Sequence, residues 1–463
     1  MAAPAQPAEL LLDALGPDGA YRTGRREVVR DVAGEPVASL SLAPPLYVAR
    51  TLDRLRRHPA AAAGTARTEV AARLEAAARA FTGAVLGGLD PEQHHLLVAR
   101  TTGIPVAVAR GAADTVAESV RTASDTAWRA APRAIGQGSV RWRRRGRVLS
   151  INASGNHPAV HSLWPEALAL GYRVAIRPSR RDPFTPHRLV LALRSAGFAA
   201  EDVVLLPCDH AAADDLVRGG DLAMVFGGDD VVDRYSAGWS ATPVLPQGPG
   251  RCKLLLTGDW ERHLDVVVDS ISGLGGVSCL NATGVLVERD PEGFAAALGD
   301  RLAALRPLPP EHEEAVLPST SLAQARALEG FVRQQAGSAR AVLGGDGIAH
   351  DLGDGSAVLR PAVHLLDSPE AEQLGVELPF PCAWVAPWSP EVGVAPLRRS
   401  LVVGVDTADE ELVGRLLDEQ SIRNVYDLER PTWWLPPGIP HDGFLAEFLM
   451  RSTALARGVK ADG

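Results

Sequence analysis

From residue 148 onward, short apolar runs alternate with amphipathic ones. VLSI (148–151), RVAIR (173–177), VVLLP (203–207), LAMVF (222–226) and PVLP (243–246) read as strands. The segments near 160–170, 186–196, 210–218 and 229–236 between them place apolar residues at helical spacing. Strand after helix in this alternation predicts a parallel sheet with both faces covered, because each crossover helix lies against a face. Such a sheet binds ligands where its strands end, which directs attention to the turns 152–158, 178–183 and 227–230. A second alternation starts at Cys252 with CKLLLTGD, then a helix over 262–273, the loop LGGVSCLNA, a strand over 283–288 and a helix over 291–304. Residues 66–86 and 105–130 repeat Ala, Val, Leu and Phe between charges, so the first third is expected to be mainly helical. GSVRWRRRGRVLSI (138–151) alternates polar and apolar around Arg145-Gly146, the pattern of a hairpin with one wet face. Late in the chain, SLVVGVD (400–406) reads as a strand, followed by the Trp/Pro-rich WWLPPGIP (433–440).

A chain of 463 residues, 46% hydrophobic and 22% charged, can bury the cores of two α/β domains. The net charge of −9 argues against a generally basic nucleic-acid surface, and the arginines at 141–147 read as the solvated face of a ribbon or a subunit contact. Lysine occurs only at 253 and 460, so nearly all positive charge is arginine. Cysteines 208, 252, 279 and 382 form no CxxC pair, which speaks against a zinc ribbon, a redox dithiol or a disulfide framework. With no basic leader at Met1 to Leu12 and no apolar run of membrane-spanning length, a cytoplasmic protein in a reducing compartment is expected. No GxGxxG follows any predicted strand, so the common dinucleotide fingerprint is absent.

Cys279 is the sharpest candidate nucleophile. It follows Gly273, Gly275 and Gly276 in a loop where backbone can approach a ligand closely. The competing reading is a buried core thiol, the role expected of Cys208 and Cys382. Asn156, in the turn 154–158, could donate its amide to an oxyanion, although Gly-Asn before Pro is also ordinary turn chemistry. His157 and His161 are candidate bases or simply turn and cap residues. Arg177, Ser179, Arg180 and Arg181 at a strand end could clamp a phosphate, or be solvated.

Taken in order, these segments resemble the aldehyde dehydrogenase superfamily. INASGNHPAVHSLWPEALALGYRVAIRPSRRDPFTP (151–186) is similar to the family's stretch in which Asn precedes Pro, a Trp and a helix follow, and the next strand ends in Lys-Pro-Ser. MVFGGDDVVDRY (224–235) resembles its strand-turn-helix at the cofactor pyrophosphate, and GGVSCLNATGVLVERD (275–290) its nucleophile loop. Glu377-Leu378-Pro379-Phe380-Pro381 resembles the Glu-x-Phe-Gly-Pro segment, and 440–455 the C-terminal tail. The resemblance implies two parallel-sheet α/β domains plus a small oligomerisation ribbon. It divides the chain into an NAD(P)-binding domain (1–135 and 148–250), a catalytic domain (251–437) and oligomerisation segments (136–147 and 438–463). It makes Cys279 the nucleophile and Asn156 the holder of the oxyanion. Gly227 and Gly228 would then lie at the pyrophosphate and Glu377 at the nicotinamide ribose. A homodimer or homotetramer is implied.

Hydrolytic members carry Glu-Leu-Gly-Gly ahead of the nucleophile, and that Glu activates water. The matching stretch here, Leu245 to Lys253, holds Gln247 and no carboxylate. Gln cannot take a proton from water at neutral pH, so the acyl-enzyme would lack its usual base. Two branches share this absence, the acyl-CoA reductases, including the fatty-acid reductase of bioluminescent bacteria, and the glutamyl phosphate reductases. The resemblance therefore implies reduction of an acyl-CoA, another acyl thioester or an acyl phosphate to an aldehyde through a Cys279 acyl-enzyme. No metal is needed, and an acyl-activating enzyme is a possible partner. Arg180 stands where NAD-preferring relatives often place Glu, beside Arg181 and with Arg177 in the Lys position, which favours NADPH over NADH. Two alternatives stand beside this reading. One is an NAD(P)-dependent aldehyde dehydrogenase using His157 or Glu166 as base. The other is a catalytically silent binding or scaffold protein, suggested by Asp229 and Asp230 beside the expected pyrophosphate.

Overall fold

Burial on both faces is what turns the apolar runs after residue 148 into strands. Arg173–Arg177, Val203–Leu205 and Leu222–Phe226 are buried at every residue. In the computed structural model, which describes residues 10–57, 66–132, 139–236 and 241–455, these strands join Val148–Asn152 and Val244–Gln247 in parallel. Their order is Val244–Gln247, Leu222–Phe226, Val148–Asn152, Arg173–Arg177, Val203–Leu205, with the hairpin Ala14–Gly16 and Gly19–Tyr21 closing the edge of a seven-stranded sheet. One face is covered by the helices Arg67–Gly83, Val106–Arg129 and Phe184–Ser195, through residues such as Leu74, Val116 and Leu189 packed on Leu149, Ile151 and Ile176. The alternate residues Val148, Ala175 and Val204 meet Leu52 and Leu216 on the other face. The chain builds outward from Val148–Asn152 through residue 205 and then returns to the opposite side at Leu222. That reversal opens a crevice at the carboxyl ends of Val148–Asn152 and Leu222–Phe226.

The second seven-stranded sheet runs Arg340–Leu343, Ala362–Leu365, Cys382–Pro387, Ala282–Val287, Cys252–Leu256, Ser400–Asp406, Ile422–Asp427. Every neighbouring pair is parallel except at the Arg340 edge. The nucleophile loop enters it just ahead of Ala282–Val287, and the connection from Gln247 to Cys252 passes directly from one sheet to the other.

The first third is mainly helical, as expected, with Pro45–Arg57, Arg67–Gly83, Pro91–Thr102 and Val106–Arg129, but short strands at Leu11–Leu12, Ala14–Gly16, Gly19–Tyr21, Arg26–Arg30 and Pro36–Ser41, which were not expected, precede its first helix. These pieces are too short to show a period, and some of their partners lie far off, as Leu15 pairs with Leu205. Two expectations are corrected. The segment 138–151 is not a hairpin. Ser139–Arg144 pairs antiparallel with Met450–Leu455, whereas Val148–Asn152 joins the large sheet. The turn between them is held by remote side chains. Tyr172 Oη accepts from Arg145 N and Gly146 N at 3.0 and 3.1 Å, and Asp221 Oδ2 accepts from Arg147 N at 2.6 Å. The helix expected near 160–170 is two short pieces, Pro158–Ser162 and Pro165–Ala169, because Pro165 has no N–H to continue the first. Residue 460 and the first nine residues lie outside the described residues.

Candidate active site

The linker that crosses between the sheets is shaped by close approach. A Cβ at Gly250 would lie 1.8 Å from the Cys279 carbonyl oxygen, so only glycine lets the linker pass the nucleophile loop. Gly276 has φ +65°, and a Cβ there would meet Pro381 at 2.6 Å. Asn281 fixes the loop from inside. Its Oδ1 accepts from Ser278 N at 2.9 Å, and its Nδ2 donates to Gly273 O at 2.7 Å and Ser270 O at 3.1 Å. Cys279 is thus presented part-exposed at a rigid turn, while Cys208, Cys252 and Cys382 are buried. Burial pushes the Cys208 thiol up to about 11 and raises Cys252 and Cys382 as well.

The feature that sequence reasoning missed lies against this sulfur. His441 Nε2 is 3.1 Å from Cys279 Sγ, and His441 Nδ1 is 2.6 Å from Asp442 Oδ2. The Asp442 carboxylate also accepts from Gly248 N at 3.2 Å, and Asn424 Nδ2 donates to the His441 carbonyl at 2.8 Å. Burial works against a charged imidazole, yet the charge and hydrogen bond of Cys279 and those of Asp442 overcome it and lift His441 to about 10. Cys279, His441 and Asp442 stand in line, the geometry of a nucleophile joined to an orienting carboxylate through an imidazole. No carboxylate stands at Gln247, but this imidazole reaches the sulfur from 162 residues further along the chain and, lifted to about 10, holds its proton at neutral pH. The adjacent pair His441-Asp442 in PHDG was the one signal available in the sequence.

Cys279, His441, Asn156, Gln247, Gly227, Gly228 and Glu377 line one cavity of about 350 Å³ at the crevice. Asn156 Nδ2 donates to Val277 O at 3.1 Å, and its Oδ1 accepts from Ser154 Oγ at 2.7 Å, so the amide keeps a second N–H. Gln247 occupies the cavity wall where the general-base carboxylate was sought. Burial raises the Glu377 carboxyl, while the Gly250 N–H at 3.3 Å and the nearby Arg251 pull it down. Asp229 is ion-paired with Arg251 and, at 3.4 Å, with Arg399, so its charge is compensated beside Gly227 and Gly228. The strand-end cluster is placed differently. Arg177 is buried and donates to Asn152 Oδ1 at 3.0 Å and Cys208 O at 3.2 Å. Ser179 Oγ accepts from Arg181 N at 3.2 Å, Arg181 Nη2 donates to Thr102 O at 2.7 Å, and Arg180 pairs with Glu27 at 3.1 Å. None of these four lines the cavity of Cys279.

His157 and His161 stay outside that cavity as well. His157 Nδ1 accepts from Ala159 N at 3.2 Å and His161 Nδ1 from Trp164 Nε1 at 3.2 Å, and burial lowers them to about 4 and about 3. They are neutral structural histidines. Trp433 donates to Asp269 O at 3.0 Å and packs on the cluster of Cys252, Leu280 and Tyr426 that also carries Cys279. Among the described residues no three His, Cys, Asp or Glu side chains converge on a metal site, and no helix is long and apolar enough to cross a membrane.

Comparison with known proteins agrees with this architecture. A model described as the aldehyde dehydrogenase family matches residues 24–388. A search of curated sequences gives no match. Aldehyde dehydrogenase 21 of Physcomitrella patens, solved with the product succinate, superposes with a TM-score of 0.84 at 15% identity over 98% of this chain and 100% of that one. An indole-3-acetaldehyde dehydrogenase solved with NAD+ gives 0.83 at 16% identity, with 96% of each chain covered. The gamma-glutamyl-gamma-aminobutyraldehyde dehydrogenase of Burkholderia cenocepacia gives 0.82 at 18% identity, again with 96% of each chain covered.

Proposed function

Because this chain belongs to the aldehyde dehydrogenase family of NAD(P)-dependent oxidoreductases acting on aldehydes, we propose that it works toward the aldehyde, reducing an activated acyl group held on Cys279. The observation that carries this reading is the contact of Cys279 Sγ with His441 Nε2 at 3.1 Å, together with Gln247 at the carboxylate position. A thiolate paired with an imidazolium suits exchange with another thioester, since the leaving sulfur departs as a thiolate and needs a proton.

In this scheme Cys279 Sγ bonds to the acyl carbon, the bond from that carbon to the leaving sulfur or phosphate oxygen breaks, and His441 Nε2 protonates a leaving thiolate. Asp442 holds the imidazole in place through Nδ1. The free N–H of Asn156 meets the negative oxygen. A bound nicotinamide cofactor supplies the hydride that takes the acyl group to the aldehyde level. The carbonyl then re-forms, the bond to Cys279 breaks, and the thiolate returns to its partner, with His441 regaining a proton from solvent. The cavity between the sheets fits such a cofactor in one testable respect. The Gly227-Gly228 turn at a strand end leaves open space at Gly228, and the neighbouring Asp229 is neutralised by Arg251 and Arg399. Glu377, Gly227 and Gly228 would hold it, with Arg177, Ser179, Arg180 and Arg181 toward the adenosine end.

The test is a panel of acyl-CoAs, aryl-CoAs and acyl phosphates with NADPH, following its oxidation and trapping the aldehyde. Free acid formed from aldehyde and NADP+ without CoA or phosphate would instead support oxidation, with His441 delivering water. Absence of both reactions and of NADPH binding would support the silent alternative. NADPH is proposed as the cofactor because Arg180, exposed beyond its strand end and paired with Glu27, brings a positive charge there. Arg180→Glu is expected to shift the ratio of kcat/KM for NADPH over NADH by about tenfold or more toward NADH, the worth of one charge-assisted contact. An unchanged ratio would reject Arg180 as the selector. The ribbon of Ser139–Arg144 and Met450–Leu455, exposed over Arg451–Leu455, supports assembly into a homodimer or homotetramer.

A further inference from the structure

A second cavity, of about 380 Å³, shares Gln247 and His441 with the one that holds Cys279. It is walled by the helix Val106–Arg129, the short helix Pro165–Ala169 and the segment Leu435–Leu445. Asp114, Glu118 and Glu166 line it, no Arg or Lys does, and its one cationic group, His441, is already engaged by Cys279 and Asp442. Glu118 is paired with Arg121 and Asp114 is exposed to solvent. Glu166 has neither compensation. It is part-buried and its carboxylate makes no hydrogen bond or ion pair among the described residues, and burial lifts it to about 7. Gln247 is 5% exposed, and its Oε1 has no hydrogen-bond partner among the described residues.

A part-buried carboxylate without a salt-bridge partner, lining the same cavity as a buried amide oxygen without a donor, is better satisfied by a ligand that brings both a charge and N–H groups. These two acceptors on one cavity ask for a group with several N–H donors and a positive charge. A phosphate or carboxylate at the end of the chain that enters this cavity would be set against like charges and be disfavoured. Leu163, Met224, Ile439 and Phe444 supply apolar contact for the methylenes of a chain that starts at Cys279.

We propose that this cavity takes the acyl chain of the substrate, and that the chain carries an amine whose ammonium is bound by Glu166. The inference rests on the reading of Cys279 as acyl acceptor and names the substrate class for it, an amino-acyl thioester or the matching amino aldehyde.

Protection of Cys279 from iodoacetamide, read by mass spectrometry at pH 8, tests this without cofactor or turnover. The probes are hexylamine, hexanol and hexanoate. Hexylamine is expected to protect at about tenfold lower concentration than hexanol, as one charge contact of about 1.4 kcal/mol requires, with hexanoate weakest. In Glu166→Gln the amine and the alcohol should protect within about twofold of each other. Equal protection by amine and alcohol in the unmodified protein, or a preference untouched in the variant, overturns the assignment. So does a Cys279 that no probe shields or that never reacts. The comparison of the three probes in the unmodified protein decides alone if the variant fails to fold. An amine preference without NADPH oxidation on any acyl donor keeps the substrate class and rejects reduction. Oxidation of NADPH with neutral acyl donors and no amine preference does the reverse.

Discussion

Replacing His441 by alanine is expected to lower kcat for transfer of an acyl group to Cys279 by about 10²–10⁴-fold, the range for loss of a positioned acid and base. KM should change by no more than about threefold, because the imidazole acts on the reacting sulfur and the leaving group rather than on the bound chain. Asp442→Asn should fall between the two proteins, since an amide cannot neutralise an imidazolium through Nδ1 but still reaches it. The pH profile separates a chemical from a packing role. His441 is raised from an ordinary value near 6.5 to about 10 by Cys279 and Asp442 against the cost of burial. Its proton, and the stabilisation that the pairing gives the fold, are therefore complete below about pH 6.5 and are lost as pH rises through about 10. The unmodified enzyme should show an alkaline limb near there that His441→Ala lacks. Stopped-flow acylation across pH 6 to 11 measures both effects, and a variant with undiminished acylation would remove His441 from the chemistry.

Cys279→Ala should abolish turnover, a loss of about 10³-fold or more, and leave no acyl adduct in intact-protein mass spectra after incubation with an acyl thioester. NADPH binding should survive, because the cofactor contacts proposed at Glu377, Gly227 and Gly228 are separate from the sulfur. Cys382→Ala is the contrast. That thiol is 2% exposed and packed among Trp384, Phe380 and Leu374, so its removal should cost about 1 kcal/mol of stability through lost packing and leave acylation intact. An adduct that persists in Cys279→Ala, on Cys252 for example, would place the nucleophile elsewhere.

The alternation of buried runs and amphipathic segments from residue 148 to 304 was legible because burial has a period, and period is local. The loop of Cys279 and the strand-end turn of Asn156 were legible for a related reason, since a glycine-rich turn between regular elements has few structural purposes. The early strands around Leu15 and the pairing of Ser139–Arg144 with Met450–Leu455 were not, because their partners are distant in the chain and their own runs are short.

Left to itself, the order of residues determined the two parallel sheets, the glycine-rich loop that carries Cys279 and the absence of a carboxylate at Gln247. Folding in three dimensions decided that His441 and Asp442 stand behind that thiol, that Asp229 is neutralised by Arg251 and Arg399, and that Glu166 lines a cavity with no Arg or Lys. The reason is physical. Periodicity encodes which side of an element avoids water, whereas the reactivity of a charged group depends on what lies within a few ångströms, and only packing selects those neighbours.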